Sequence, residues 1–124
     1  MKNQNSRNGF TLVEIMIIVA ILGLLAAIAV PNFVMARQYS QLNRIKENLR
    51  IIEGAKDQWA LENKQSTGAL PVATNLVSYM TKNRFPPAAV VGETYRINPV
   101  GMSPGALIPV KLGTNCAGST ILLR

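Results

Sequence analysis

Residues 10–30 read FTLVEIMIIVAILGLLAAIAV, an unbroken apolar run whose polar side chains are Thr11 and Glu14. As a helix, at about 1.5 Å per residue, the run spans about 30 Å, the thickness of a bilayer hydrocarbon core. Enclosing such a helix on all sides takes a large protein, and the remainder of a 124-residue chain is too small. The run therefore reads as membrane-inserted. Three identities fit: a cleaved secretory signal, an uncleaved anchor, or an anchor processed in another way. Lys2 and Arg7 form a basic flank, and Ala27-Ile28-Ala29 matches a small-residue cleavage pattern. A cut after Ala29 would release a soluble binding protein. Against that reading, the run is longer than a signal core, and it carries a carboxylate. An acidic group at mid-span costs about 2.5–3.5 kcal/mol, less near the interface. An ionisable group in a span marks a functional position, and Glu14 is such a group.

Composition removes whole classes of chemistry. The chain has no His and one Cys. Enzymes with a His proton carrier, the common zinc constellations and any intrachain disulfide framework are thereby excluded. The phosphate-loop pattern is absent, so Ser66-Thr67-Gly68 reads as turn chemistry. No catalytic residue, cofactor or metal ligand is expected.

Gly9-Phe10-Thr11-Leu12-Val13-Glu14, preceded by a short basic leader and followed by the apolar run and Pro31, resembles the prepilin signature of type IV pilins and type II secretion pseudopilins. The similarity is close over residues 7–35 and looser beyond. It implies cleavage by a membrane peptidase between Gly9 and Phe10, methylation of the new Phe10 amino terminus, and assembly through the apolar helix. A leader of nine residues is too short to be a secretory signal by itself. After cleavage the helix stays on the mature chain, and Glu14 lies about 6 Å along it from a new ammonium group. In an axially staggered filament that carboxylate meets the amino terminus of a neighbour, so a group costly alone in lipid becomes tolerable once paired. Basic residues on the two sides of the span, Lys2 and Arg7 against Arg37, Arg44, Lys46 and Arg50, vote weakly for the opposite orientation. The motif outweighs them and places the leader in the cytoplasm and the body outside.

Helical periodicity continues past Pro31. Leu42, Ile45, Leu49, Ile52 and Trp59 keep one face, while Arg44, Lys46, Glu47, Arg50, Glu53 and Asp57 mostly take the other. The spacing predicts a helix over residues 10–63, bent at Pro31, which lacks an N–H for the ladder, and stopped before Gly68. After it, a short helix over residues 74–82 is expected, capped by Thr74, with Leu76, Val77 and Met80 inward. Strands are expected at residues 93–98 and 107–112, with a third at 120–123. The fold class is α+β: a long N-terminal helix, transmembrane and then an amphipathic stalk, with a small head holding a short helix and a β-hairpin or small antiparallel sheet. Residues 1–9 are the leader, 10–30 the transmembrane and assembly helix, 31–65 the stalk and 66–124 the head. The hairpin is too small to fold alone and needs the helix as its other half.

Of the aromatics, Trp59 reads as core, and at least one of Tyr79, Phe85 and Tyr95 joins it. Cys116 reads as a buried small residue, with interchain pairing as the alternative. Major pseudopilins commonly hold calcium through acidic residues of the head. Here the one acid after Glu62 is Glu93, so that site does not carry over. Loss of the leader lowers the basic side chains from thirteen to eleven, against six acidic ones. They are spread over stalk and head without a cluster, which speaks against a DNA-binding competence pilin.

The expected function is a structural subunit of a type IV pilus-like or type II secretion pseudopilus filament. Its partners are further copies of itself, the prepilin peptidase, the inner-membrane assembly platform with its ATPase, and membrane lipid. Gly9 and Phe10 serve processing; Glu14 and Pro31 serve assembly. The expected location is the inner membrane, single-pass with the head outside the cytoplasm, and then a periplasmic or cell-surface filament.

Overall fold

A computed structural model describes residues 9–80, 83–85, 87 and 89–123. The expected leader, Gly9 apart, lies outside the described residues, as does the end of the helix expected at 74–82. The element order is α1 (Leu12–Glu62), α2 (Ala73–Leu76), a 3₁₀ turn (Val77–Tyr79), and strands β1 (Thr94–Arg96), β2 (Gly105–Leu107) and β3 (Thr120–Leu122). This is the α+β arrangement expected. The chain divides after Met35 into two compact units.

The first unit contains the N-terminal part of α1. Every described side chain up to Arg37 is exposed. Pro31 lies inside α1, which continues on both sides of it. Pro at that place removes one ladder bond without ending the helix.

The second unit has its own core. Ile45, Leu49 and Ile52 of α1 are fully buried, and Leu42 and Trp59 pack against the same cluster. Facing them is a three-stranded antiparallel sheet in the order β1-β2-β3. Its register aligns Tyr95, Ala106 and Ile121 in one row, and all three are buried. Their strand neighbours Thr94, Arg96, Thr120 and Leu122 point outward, as the pleat requires. Leu76, Met80, Ile108 and Leu112 complete the core.

Three local expectations are corrected. The second strand is Gly105–Leu107, earlier than the 107–112 segment expected. Pro109 has no N–H to continue the ladder; after Ile108, whose N–H reaches the Ser119 carbonyl at 3.1 Å, the chain turns into the Leu112–Asn115 bridge. Thr74 does not cap α2, which begins one residue before it, with Val72 in the cap position and no side-chain cap. The α-helical part ends at Leu76, and Val77 is half-buried, whereas Leu76 and Met80 are fully inward. Cys116 is exposed, not buried, because it sits in the tight turn where Ser119 bonds back to its carbonyl at 2.7 Å.

Two buried charges pin loops of the head. Lys56 on α1, 1% exposed, donates to the carbonyls of Pro99 at 3.2 Å and Met102 at 2.5 Å. Burial holds its pKa below the ordinary lysine value, and nearby Glu53 and Asp57 partly offset this. The same loop exchanges two backbone bonds of 2.9 Å with the turn after α1, Gly68 to Val100 and Val100 to Ala69. Gly101 is required there: its φ is +88°, and a Cβ would stand 2.6 Å from the Thr67 methyl.

Glu93 is the second buried charge. It accepts from the backbone N–H groups of Val90 and Val91 at 2.9 Å and from the Tyr95 hydroxyl at 2.5 Å. That hydroxyl accepts from Asn48 of α1 at 2.7 Å. Burial pushes the Glu93 pKa up, yet the Tyr95 and backbone bonds together outweigh it and hold the carboxyl below its usual range. The stabilisation is therefore present above the ordinary carboxylate pKa and is lost as pH falls through the depressed value. Glu93→Gln in a fragment of residues 36–124 should cost about 1–3 kcal/mol at pH 7. Urea melts across pH should show the gap from wild type closing below about pH 4; a gap independent of pH would contradict the charged network.

Candidate functional site

The N-terminal end of α1 gathers three of the four residues singled out by sequence. Gly9 and Phe10 precede the helix, and Glu14 lies in its first turn. Among the described residues, a Cβ on Gly9 would meet nothing within 4 Å, and Gly9 is exposed. Phe10 is 74% exposed. Pro31 lies more than four turns further along and forms no cluster with them.

Thr11 and Glu14 form a reciprocal cap. The Thr11 hydroxyl accepts from the Glu14 N–H at 3.2 Å, and the Glu14 carboxylate accepts from the Thr11 N–H at 3.4 Å. This is the capping box of a Ser/Thr followed three residues later by Glu. Sequence reasoning treated Glu14 as a pairing charge and missed this second role, although Thr-x-x-Glu before an apolar run was a legible signal. The bond turns the carboxylate back to the Thr11 N–H. It also supplies acceptors where a helix has unpaired N–H groups, and it sets a negative charge at the positive end of the helix dipole. Inside a bilayer, where no water can satisfy those groups, the box matters more.

Beyond the cap the surface is apolar on every side. The large side chains from Phe10 to Met35 are between 43% and 76% exposed, and an 18-residue stretch of α1 is apolar enough to cross a membrane with none of it buried. Exposed apolar surface of this extent needs a lipid or protein cover. Among the described residues, no three His, Cys, Asp or Glu side chains come together as metal ligands.

Comparison with known proteins agrees in kind. Residues 4–30 match the family model of the prokaryotic N-terminal methylation motif. The chain is 48% identical to the type IV major pilin protein PilA of Myxococcus xanthus over 59 residues, 47% of this chain and 27% of that one. It is 32% identical to the type II secretion system core protein G of Klebsiella michiganensis over 89 residues, 72% of this chain and 60% of that one. It is 30% identical to the type IV major fimbrial protein FimA of Dichelobacter nodosus over 121 residues, 93% of this chain and 72% of that one. The chain thus spans less than two thirds of the first two relatives and more than two thirds of the third. No solved structure matches significantly. Fold and site define a protein with a bare apolar helix and a small α+β head. The chain belongs to the type IV pilin and type II secretion pseudopilin family, a family of structural proteins and not of enzymes.

Thr11→Val removes the hydroxyl acceptor and leaves the side-chain shape. A lost N-cap costs about 1 kcal/mol. Amide exchange of the full chain in micelles should then quicken about fivefold at residues 12–15 and nowhere else. Unchanged exchange there would mean that the cap carries no weight.

Proposed function

We propose that the chain is a structural subunit of a type IV pilus-like or type II secretion pseudopilus filament, cut between Gly9 and Phe10 and polymerised through its N-terminal helix. The observation that carries this reading is the exposed, largely apolar surface of residues 10–35, joined to similarity with a major fimbrial protein along nearly the whole chain. Before assembly, lipid covers that surface; afterwards, neighbouring helices do. The leader stays on the cytoplasmic side of the inner membrane, the head lies outside it, and the filament is periplasmic or at the cell surface.

The steps follow from the residues. The prepilin peptidase reaches the exposed Gly9–Phe10 peptide, and a methyl group is added to the freed Phe10 amine. That ammonium is one residue from the Thr11 N–H that holds the carboxylate, so Glu14 can serve its own helix start and the terminus of an adjacent copy. A lone ammonium would be expelled from a filament core, and the pair lets it enter. Pro31 leaves a ladder position unbonded, a point where the helix yields to neighbours. An assembly platform and its ATPase supply the energy, since the sequence carries no phosphate-loop pattern.

Mass spectrometry of the mature protein should find Phe10 at the N-terminus with one methyl group. Glu14→Gln should still be cut and retained in membranes, because the leader and Gly9 are unchanged. Electron microscopy should find filaments at least tenfold rarer, since breaking a buried pair costs about 3–5 kcal/mol per added subunit. A mature terminus at Val30 would sink the reading; Gln-variant filaments in wild-type number would sink the pairing.

A further inference from the structure

The sheet of the second unit ends at β3 on one side, and among the described residues no further strand pairs with that edge. The ladder decides which backbone groups face it. The Ile108 N–H bonds to the Ser119 carbonyl at 3.1 Å, so that carbonyl faces β2. Bonded residues alternate along an antiparallel strand. Ile121, opposite Ala106, therefore also bonds to β2, and the N–H and C=O groups of Thr120 and Leu122 point to the free edge. Thr120 and Leu122 are exposed, and β3 contains neither a charge nor a Pro that would blunt the edge. Beside it lies an open cleft of about 500 Å³, lined by Leu42, Lys46 and Arg50 of α1 and by Ile121, Leu122 and Leu123. Among the described residues, no acidic side chain lines this cleft. Lys46 has no ion pair among those residues; Arg50 holds Glu47 at 3.4 Å, with both side chains more than 60% exposed. A pair so exposed is readily exchanged.

We propose that the cleft receives an extended acidic segment of a different protein, added to the sheet beside β3. Its backbone pairs with Thr120 and Leu122, and two carboxylates at alternate positions meet Lys46 and Arg50. Those cations stand one turn apart on α1, about 6 Å. Alternate side chains of a strand are about 6.8 Å apart, so the two spacings match. Leu42, one turn earlier on α1, takes an apolar side chain at the next alternate position. Strand addition draws its affinity from main-chain bonds and its specificity from alternate side chains. A second copy of these 124 residues does not supply such a segment. Of its six acidic residues, Glu14, Glu47, Glu53, Asp57 and Glu62 lie on α1, and Glu93 is buried. The occupant is thus a foreign chain with carboxylates two residues apart in extended form. The cleft lies wholly within the second unit, so its occupation does not require filament assembly.

Titration calorimetry of the full chain in uncharged micelles tests this with the capped peptide Val-Thr-Glu-Thr-Glu-Thr-Val, whose pattern reads alike in both directions. Counterparts carry Gln or Lys in place of Glu. The Glu peptide should bind saturably, the Gln peptide about tenfold more weakly, and the Lys peptide not at all, because like charges then face each other. Lys46→Gln with Arg50→Gln should bind the Glu and Gln peptides alike. Lys46→Glu with Arg50→Glu should exchange the preference, taking the Lys peptide and refusing the Glu peptide. Equal affinity of the wild type for the Glu and Gln peptides, or a Gln double variant that keeps the preference for Glu, would overturn the proposal. N-methylation separates strand addition from attraction of an anion alone. Methyl groups on the three Thr nitrogens block one edge of the peptide, and methyl groups on the Glu and Val nitrogens block the other. One pattern should abolish binding and the other leave it within about threefold; equal effects of both would mean that the cations alone hold the peptide. No saturable binding of any peptide would make Lys46 and Arg50 guards of a closed edge. Either result overturns strand addition at β3.

Discussion

An apolar helix that exposes its whole circumference cannot remain in water without a cover. From Phe10 to Met35 every described side chain of this stretch is exposed. The cover must be lipid or other protein, and a structural subunit is what results when one replaces the other. The helix start carries the same logic. Its unpaired N–H groups are met by Thr11 and Glu14, so the one carboxylate of the span is already engaged at its end.

The second unit solves a different problem with few residues. Three strands of three residues each have too little apolar surface to fold alone. Ile45, Leu49 and Ile52 of α1 supply the missing half of the core. Polar bonds then fix loops that apolar contacts leave loose. Asn48, Tyr95 and Glu93 tie α1 to the segment before β1, and Lys56 ties it to the loop before β2. Each is satisfied by carbonyls, N–H groups or hydroxyls, the condition under which a buried charge is tolerated.

Much of this was legible in the sequence where periodicity extends over many residues. The helix expected at 10–63 is observed as Leu12–Glu62, and its inward face was readable because five apolar side chains repeat at helical spacing. The short elements were harder. β2 is Gly-Ala-Leu, with two residues too small to stand out, and the bulkier Ile108 beyond it drew the strand toward Pro109, where the ladder cannot go. Thr74 looked like a cap by residue type, yet a helix of one turn is set by its packing at Leu76. Lys56 sits among exposed charges in the helical pattern and gives no sign that it is buried, since its partners are backbone carbonyls over 40 residues away. At the helix start the N-terminal methylation motif was plain from residue identity, whereas the capping bond between Thr11 and Glu14 was overlooked although its Thr-x-x-Glu spacing was there to read.

The most direct measurement is an electron-microscopic reconstruction of filaments from cells that make this chain, with side chains resolved in the filament interior. Helical density for residues 10–30 should fill the centre without lipid, and the Glu14 carboxylate should lie within about 4 Å of the Phe10 amine of an adjacent copy. A centre made of the heads, or a Glu14 facing solvent far from any amino terminus, would contradict the account.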